Sequence, residues 1–256
     1  MSLIVAPCAI VVGPQASEQP RAKAMDMQDD SFLCRVPGVV HVGANSGQER
    51  DVYRDLGLRV LWIEAINEVF DELVRNIAGH PKQKSLCALL TDRDGAEYQF
   101  HIASNSGASS SIYQFGECLD IWPELSYLSS RTLRSSRLDS LFRLEGIQPS
   151  DYPALVMDVQ GAELLVLKGA GQMLGEFRFV KAEAADFESY IDCAKLEDLR
   201  QYLEPWGFKE IGRHPFASHP NGGTYWDVVW ERPAKSTLEQ VRWWIASVAE
   251  TRRLSK

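Results

Sequence analysis

No apolar run in this sequence approaches the roughly 18 residues a helix needs to cross a bilayer. The apolar stretches at 3–6 and 10–12 are short, are separated by Pro7 and follow no basic segment, so a secretory leader is not expected. Cysteines are scattered and odd in number. Cys8, Cys34, Cys87, Cys118 and Cys193 form no CxxC pair and no disulfide framework, which points to reduced thiols and a cytoplasmic setting. The histidines do not cluster either: His214 and His219 are the nearest pair, flanked by Pro215 and Pro220, and no metal site is expected. Positive charge is also short, with 27 Lys and Arg against 35 Asp and Glu for a net charge of −8. An acidic surface repels a phosphate backbone, so nucleic acid is not an expected partner. What the sequence does hold is core material. Hydrophobic residues make up 45% of its 256 positions and aromatics 10%, which excludes wholesale disorder and suits one α/β unit.

Residues 1–35 read as an N-terminal extension, with Pro7, Pro14 and Pro20 and no sustained periodicity. Regular structure is expected over 36–233. Short apolar runs at 39–42, 59–63, 86–90, 154–157 and 177–180 suit buried parallel strands. Between them, Val69, Phe70, Leu73, Val74 and Ile77 fall on one helical stripe with Asn67 as a candidate N-cap, and Leu196, Leu199 and Leu203 repeat the pattern before Gly207. Strands alternating with helices imply a doubly wound, mostly parallel seven-stranded sheet. Runs at 208–211 and 225–229, joined by Pro215, Pro220, Asn221, Gly222 and Gly223, predict an antiparallel pair at the sheet edge. From Thr237 a stripe of Leu238, Val241, Ile245 and Val248 predicts a C-terminal helix over 234–256, packed on the domain or on a partner in a homodimer. The serine-rich region 104–136 reads as a long functional loop.

Two segments carry chemistry. In the first, 39–49, a buried strand runs into the turn His41-Val42-Gly43-Ala44-Asn45-Ser46-Gly47 and then a helix. Gly43 and Gly47 would let backbone approach a ligand, and the helix start offers free amides. Glu64 ends the next strand, where nucleotide-binding α/β folds hold an acid against ribose hydroxyls. Asn45 stands where a dinucleotide motif wants its second glycine, which favours S-adenosylmethionine over NAD. In the second segment, the run 154–157 ends in Asp158, followed by Val159-Gln160-Gly161-Ala162-Glu163. Strand ends meet at one cleft in such sheets, so Asp158 should face the Gly43 turn, and Glu183, ending the next strand, should line the same cleft.

These segments resemble the FkbM-type methyltransferases. The likeness rests on His41-Val42-Gly43-Ala44-Asn45 with Gly47-Gln48-Glu49, on Trp62-Ile63-Glu64-Ala65, and on ALLTDRDG at 88–95. It continues through Ser109-Ser110-Ser111-Ile112, the Asp158 to Glu163 segment, Leu167-Lys168-Gly169, Glu183 with Tyr190, Gly207-Phe208 and Trp226-Asp227. The resemblance implies a class I, Rossmann-like methyltransferase domain at 36–233, S-adenosylmethionine as donor, and a hydroxyl acceptor on a sugar, glycolipid or polyketide-like small molecule. It places the donor's methionine part at His41, Gly43, Ala44, Asn45 and Gly47, its ribose at Glu64, and its adenine beside Thr91 and Asp92, with Glu49, Ala65 and Ser110 also on the donor side. It gives Asp158 the position beside the transferring methyl. Methylating a hydroxyl calls for a base, and Asp158, then Glu183, are the candidates. Departures from the family pattern are His41 for a common Asp, Asn67 for a common Pro, and Tyr225-Trp226-Asp227 without a glycine. An NAD-dependent oxidoreductase and a non-catalytic donor-binding module are the alternatives.

Overall fold

The computed structural model describes residues 30–233. The chain enters through a 3-10 turn, Ser31–Arg35, and then β1 (Gly38–Val42), α1 (Arg50–Asp55), β2 (Arg59–Glu64), α2 (Asn67–Ile77) and β3 (Gln83–Cys87). A short β4 (Leu89–Leu90), β5 (Glu97–Ala103) and β6 (Tyr127–Ser136) follow, then α3 (Leu138–Leu144), β7 (Ala154–Met157) and α4 (Glu163–Ala170). The chain continues with β8 (Phe179–Ala185), α5 (Leu196–Leu203), β9 (Lys209–Ser218) and β10 (Thr224–Glu231).

The main sheet has seven strands in the order β3-β2-β1-β7-β8-β10-β9. All pairings are parallel except those of β10, which runs antiparallel to both β8 and β9. The expected doubly wound, mostly parallel sheet with an antiparallel C-terminal edge hairpin is therefore present. β1 and β7 are buried along almost their whole length because helices cover both faces. On one face Val40, Leu61, Leu155, Val180 and Trp230 pack with residues of α3, α4 and α5, among them Phe142, Leu167 and Leu199. On the other, Val39, Val60, Trp62 and Val156 pack with Tyr53 of α1 and Leu73 of α2. The chain leaves β1 toward β2 on one side and later returns to β7 on the other, so a crevice opens between the C-terminal ends of β1 and β7.

Three sequence expectations change. Residues 104–136 are not one loop: 127–136 is strand β6, which pairs antiparallel with β5 and parallel with β4 in a second, three-stranded sheet. Asn67 does not cap α2; Ile66 holds the cap position, and the Asn67 side chain accepts a hydrogen bond from Cys87 Sγ at 3.0 Å. Phe32 and Leu33, assigned to the extension 1–35, are buried in the core, with the Phe32 ring 5.3 Å from that of Phe179. The C-terminal helix with its stripe of Leu238, Val241, Ile245 and Val248, and the dimer contact it could make, lie outside the described residues. Among the described residues, no helix is long and apolar enough to cross a membrane.

Candidate active site

A cavity of about 490 Å³ occupies the crevice beyond β1, β2 and β7 and extends along the sheet face toward β10 and β9. Its floor is the turn after β1. The amides of Gly43 and Ala44 both donate to the Ile63 carbonyl, at 3.0 and 3.1 Å, which ties the turn to the end of β2. Gly43 has φ +77°, and a Cβ there would lie 1.8 Å from the Asp158 carbonyl oxygen. The close approach of the loop after β7 by itself demands a glycine here. Gly47 likewise makes room for Leu73 of α2, 2.7 Å from where its Cβ would stand, and it does not line the cavity. Asn45 adopts φ +45°; its amide donates to Glu64 Oε2 at 2.8 Å, and its Oδ1 accepts from the Ser46 amide at 2.7 Å.

Glu64 is 7% exposed and its Oε1 accepts from the amides of Ala65 and Ile66 at 2.9 and 2.8 Å. Burial raises its pKa, and these three amide bonds reduce the rise without cancelling it. A carboxylate has about four acceptor positions, so roughly one strong bond is left for a ligand in the cavity it lines. Below it, His41 stacks on Trp62 with ring centroids 5.0 Å apart, and its Nδ1 lies 3.0 Å from the Tyr53 hydroxyl. Burial, helped by the nearby Lys181 ammonium, lowers its pKa to about 3, which leaves the imidazole neutral. Lys181 is held by Asp30 at 2.7 Å.

The loop after β7 is bound from several sides. The Asp158 amide donates to the Val42 carbonyl at 3.0 Å, beside the first turn. Gln160 sits at φ +54°, a region that costs a side-chain-bearing residue about 1 kcal/mol or more. What holds it there is Ser111, whose hydroxyl donates to the Gln160 carbonyl at 2.7 Å, and buried Glu163, whose Oε1 accepts from the amides of Val159 and Gly161 at 3.0 and 3.3 Å. Burial, and less strongly the charge of Asp158, push the Glu163 carboxyl up to about 7. The Gln160 side-chain amide donates to Asp158 Oδ1, and its Oε1 accepts from the Tyr190 hydroxyl at 2.6 Å.

The structure brings His41, Gly43, Ala44, Asn45, Glu49 and Glu64 together on the cavity wall, together with Ala65, Ser110, Asp158 and Glu183. Thr91 and Asp92 stay outside it. Thr91 is fully buried and turns its hydroxyl to Arg93. Their end of the cavity is instead an apolar slot of Ile66, Ala88, Leu89, Phe100 and Ile112. Glu183, expected at the cleft, opens a polar row at the opposite end whose other two members sequence reasoning missed. Glu183 stands directly across from Asp227, and Asp227 from His214, on adjacent strands β8, β10 and β9, and all three line the cavity. The signal for this row was present in the hairpin but needed the register between β8 and β10. Among the described residues, no group of three or more His, Cys, Asp or Glu is arranged to hold a metal ion.

Structural likenesses are low. Sp1610 of Streptococcus pneumoniae, solved in complex with S-adenosyl-L-methionine, gives a TM-score of 0.47 at 13% identity, covering 82% of this chain and 72% of that one. Magnesium protoporphyrin IX methyltransferase from Synechocystis PCC 6803, with bound SAM, gives 0.43 at 11%, covering 80% and 78%. The fibrillarin pre-rRNA processing protein of Methanococcus jannaschii gives 0.44 at 13%, covering 78% and 68%. A comparison with curated proteins returned no match. The decisive finding is a family model, the methyltransferase FkbM domain, which matches residues 41–210, from the His41 turn to the start of β9. This chain belongs to the FkbM methyltransferase family.

Proposed function

We propose that this chain is an S-adenosylmethionine-dependent O-methyltransferase whose acceptor is a hydroxyl on a sugar or natural-product-like small molecule. The observation that carries the reading is the meeting, in one cavity, of buried Glu64 at the end of β2 with Asp158 at the end of β7 across the Gly43 turn. The lining fits the donor's parts. Its carboxylates, Glu49, Glu64, Asp158, Glu183 and Asp227 together with Asp30, suit a cationic sulfonium, Glu64 keeps acceptor capacity for a ribose hydroxyl, and the slot around Phe100 and Leu89 suits a flat adenine. When bound, S-adenosylmethionine supplies an electrophilic methyl group.

The chain's own residues do the rest by positioning and proton transfer. Asp158 accepts the acceptor's hydroxyl proton as the oxygen takes the methyl, and Glu183 is the second candidate for that role. The row Glu183, Asp227 and His214 offers hydrogen-bonding groups to a polyhydroxylated acceptor.

Calorimetry with S-adenosylmethionine and NAD, followed by turnover on a panel of glycosides and secondary alcohols, tests the reading. Asp158→Asn is expected to lower single-turnover methylation by about 10²- to 10⁴-fold, with donor affinity little changed. A wild-type rate in that variant, or binding of NAD in place of the donor, rejects the assignment.

A further inference from the structure

The hydrogen bonds around Gln160 point to a role for a residue far from Asp158 in sequence. This inference rests on Asp158 being the proton acceptor. Tyr190 is 2% exposed and lies in the segment between β8 and α5. Its hydroxyl reaches Gln160 Oε1 at 2.6 Å and the Ser109 carbonyl at 3.2 Å. A side-chain amide has one accepting and one donating end. With Oε1 turned to Tyr190, Gln160 must present Nε2 to Asp158, and it does. The Gln160 backbone is fixed as well, at φ +54°, by Ser111 and through its neighbours by Glu163.

We propose that Tyr190 and Gln160 form a positioning relay for Asp158. Tyr190 fixes the orientation of the Gln160 amide, and the amide holds one carboxylate oxygen of Asp158, which sets the direction in which the carboxylate faces the acceptor hydroxyl. Burial keeps the Tyr190 phenol protonated, its pKa lying well above 10.0. The relay also connects the two walls of the site. Ser109 and Ser111 belong to the segment after β5 that contributes Ser110 to the cavity, and both reach the Gln160–Tyr190 unit. In Tyr190→Phe the ring and its packing remain but Oε1 loses its donor. The amide is then free to turn over and present an oxygen to Asp158, which repels the ionised form and displaces the base.

The test uses the full chain with S-adenosylhomocysteine bound and glutamine side chains labelled with ¹⁵N, the Gln160 signal being assigned by its loss in Gln160→Ala. The wild type is expected to show two separate, slowly exchanging Gln160 amide protons. Tyr190→Phe is expected to merge or broaden them and to lower the single-turnover methylation rate by about ten- to a hundredfold, with S-adenosylmethionine affinity within twofold. Adding Tyr190→Phe to Gln160→Ala should lower the rate no further, because both changes break one connection. An unaltered Gln160 signal in Tyr190→Phe, or fully additive rate losses in the double variant, overturns the relay. If Tyr190→Phe disturbs the amide while Asp158→Asn keeps the wild-type rate, the base assignment fails, and the positioning role falls with it for that separate reason.

Discussion

Gly43 meets two constraints at once, a left-handed backbone and a carbonyl oxygen 1.8 Å from where its Cβ would be. Gly43→Ala should therefore push the turn after β1 away from the loop after β7. Conformational cost and overpacking together come to about 2–4 kcal/mol, a fall in melting temperature of roughly 5–15 °C, with weaker donor binding as well. Thermal unfolding checks it; an unchanged melting temperature would contradict the packing account. Glu64→Ala removes the one bond left for a ribose hydroxyl, about 1.5–3 kcal/mol for a charged acceptor. S-adenosylmethionine should bind at least about tenfold more weakly by calorimetry, and equal affinity would end the ribose assignment. Both positions were legible because each sits at the end of a strand whose apolar run announces it. Lys181, Asp227 and His214 were not, since a polar residue in a strand declares its face only once its neighbours and register are known.

The second sheet shows why one element escaped sequence reasoning. β6, with the sequence Tyr-Leu-Ser-Ser-Arg-Thr-Leu-Arg-Ser-Ser, has no apolar run and is mostly exposed along its first part. What fixes it is pairing with β5, whose Phe100 is 6% exposed and packs with Ile66 and Leu89. The strands β1, β2 and β7, by contrast, are buried on both faces and read directly as apolar runs. The small sheet is joined to α2 in two ways of unequal weight. Arg131 and Glu68 form an ion pair at 2.9 Å, but their side chains are 36% and 66% exposed and solvent screens the pair, so Glu68→Gln should leave the unfolding midpoint almost unchanged. Phe100→Ala empties a buried site that also lines the cavity, and should cost about 3–5 kcal/mol and weaken donor binding. Urea unfolding of the two variants decides; comparable losses in both would mean that the apolar cluster does not dominate.

Acid and alkali should act on the molecule through opposite groups. His41 is neutral when folded, with a pKa of about 3 against 6.5 in the unfolded chain, so its contribution is complete above pH 6.5 and is lost as pH falls toward 3. Glu163 titrates near 7 when folded against 4.5 unfolded, so its contribution is complete below pH 4.5 and is lost as pH rises toward 7. Between 4.5 and 6.5 the two slopes cancel, and these groups alone give a plateau. Glu163→Gln keeps an acceptor for the Val159 and Gly161 amides but carries no charge. Relative to the wild type, the variant should gain on the order of 3 kcal/mol between pH 5 and 8, most of it as a rise across the range where the wild type is level. Urea unfolding across that range measures it, and parallel curves for variant and wild type would reject the linkage. The strand order has a further consequence, for synthesis. β10, last of the described strands, lies between β8 and β9 and pairs with both. A nascent chain that has emerged as far as Ser218 therefore carries two strands waiting for a partner still inside the ribosome. Until 224–231 leave the ribosome, those edges are what a chaperone must shield, and a chain cut at 218 should be recovered in inclusion bodies.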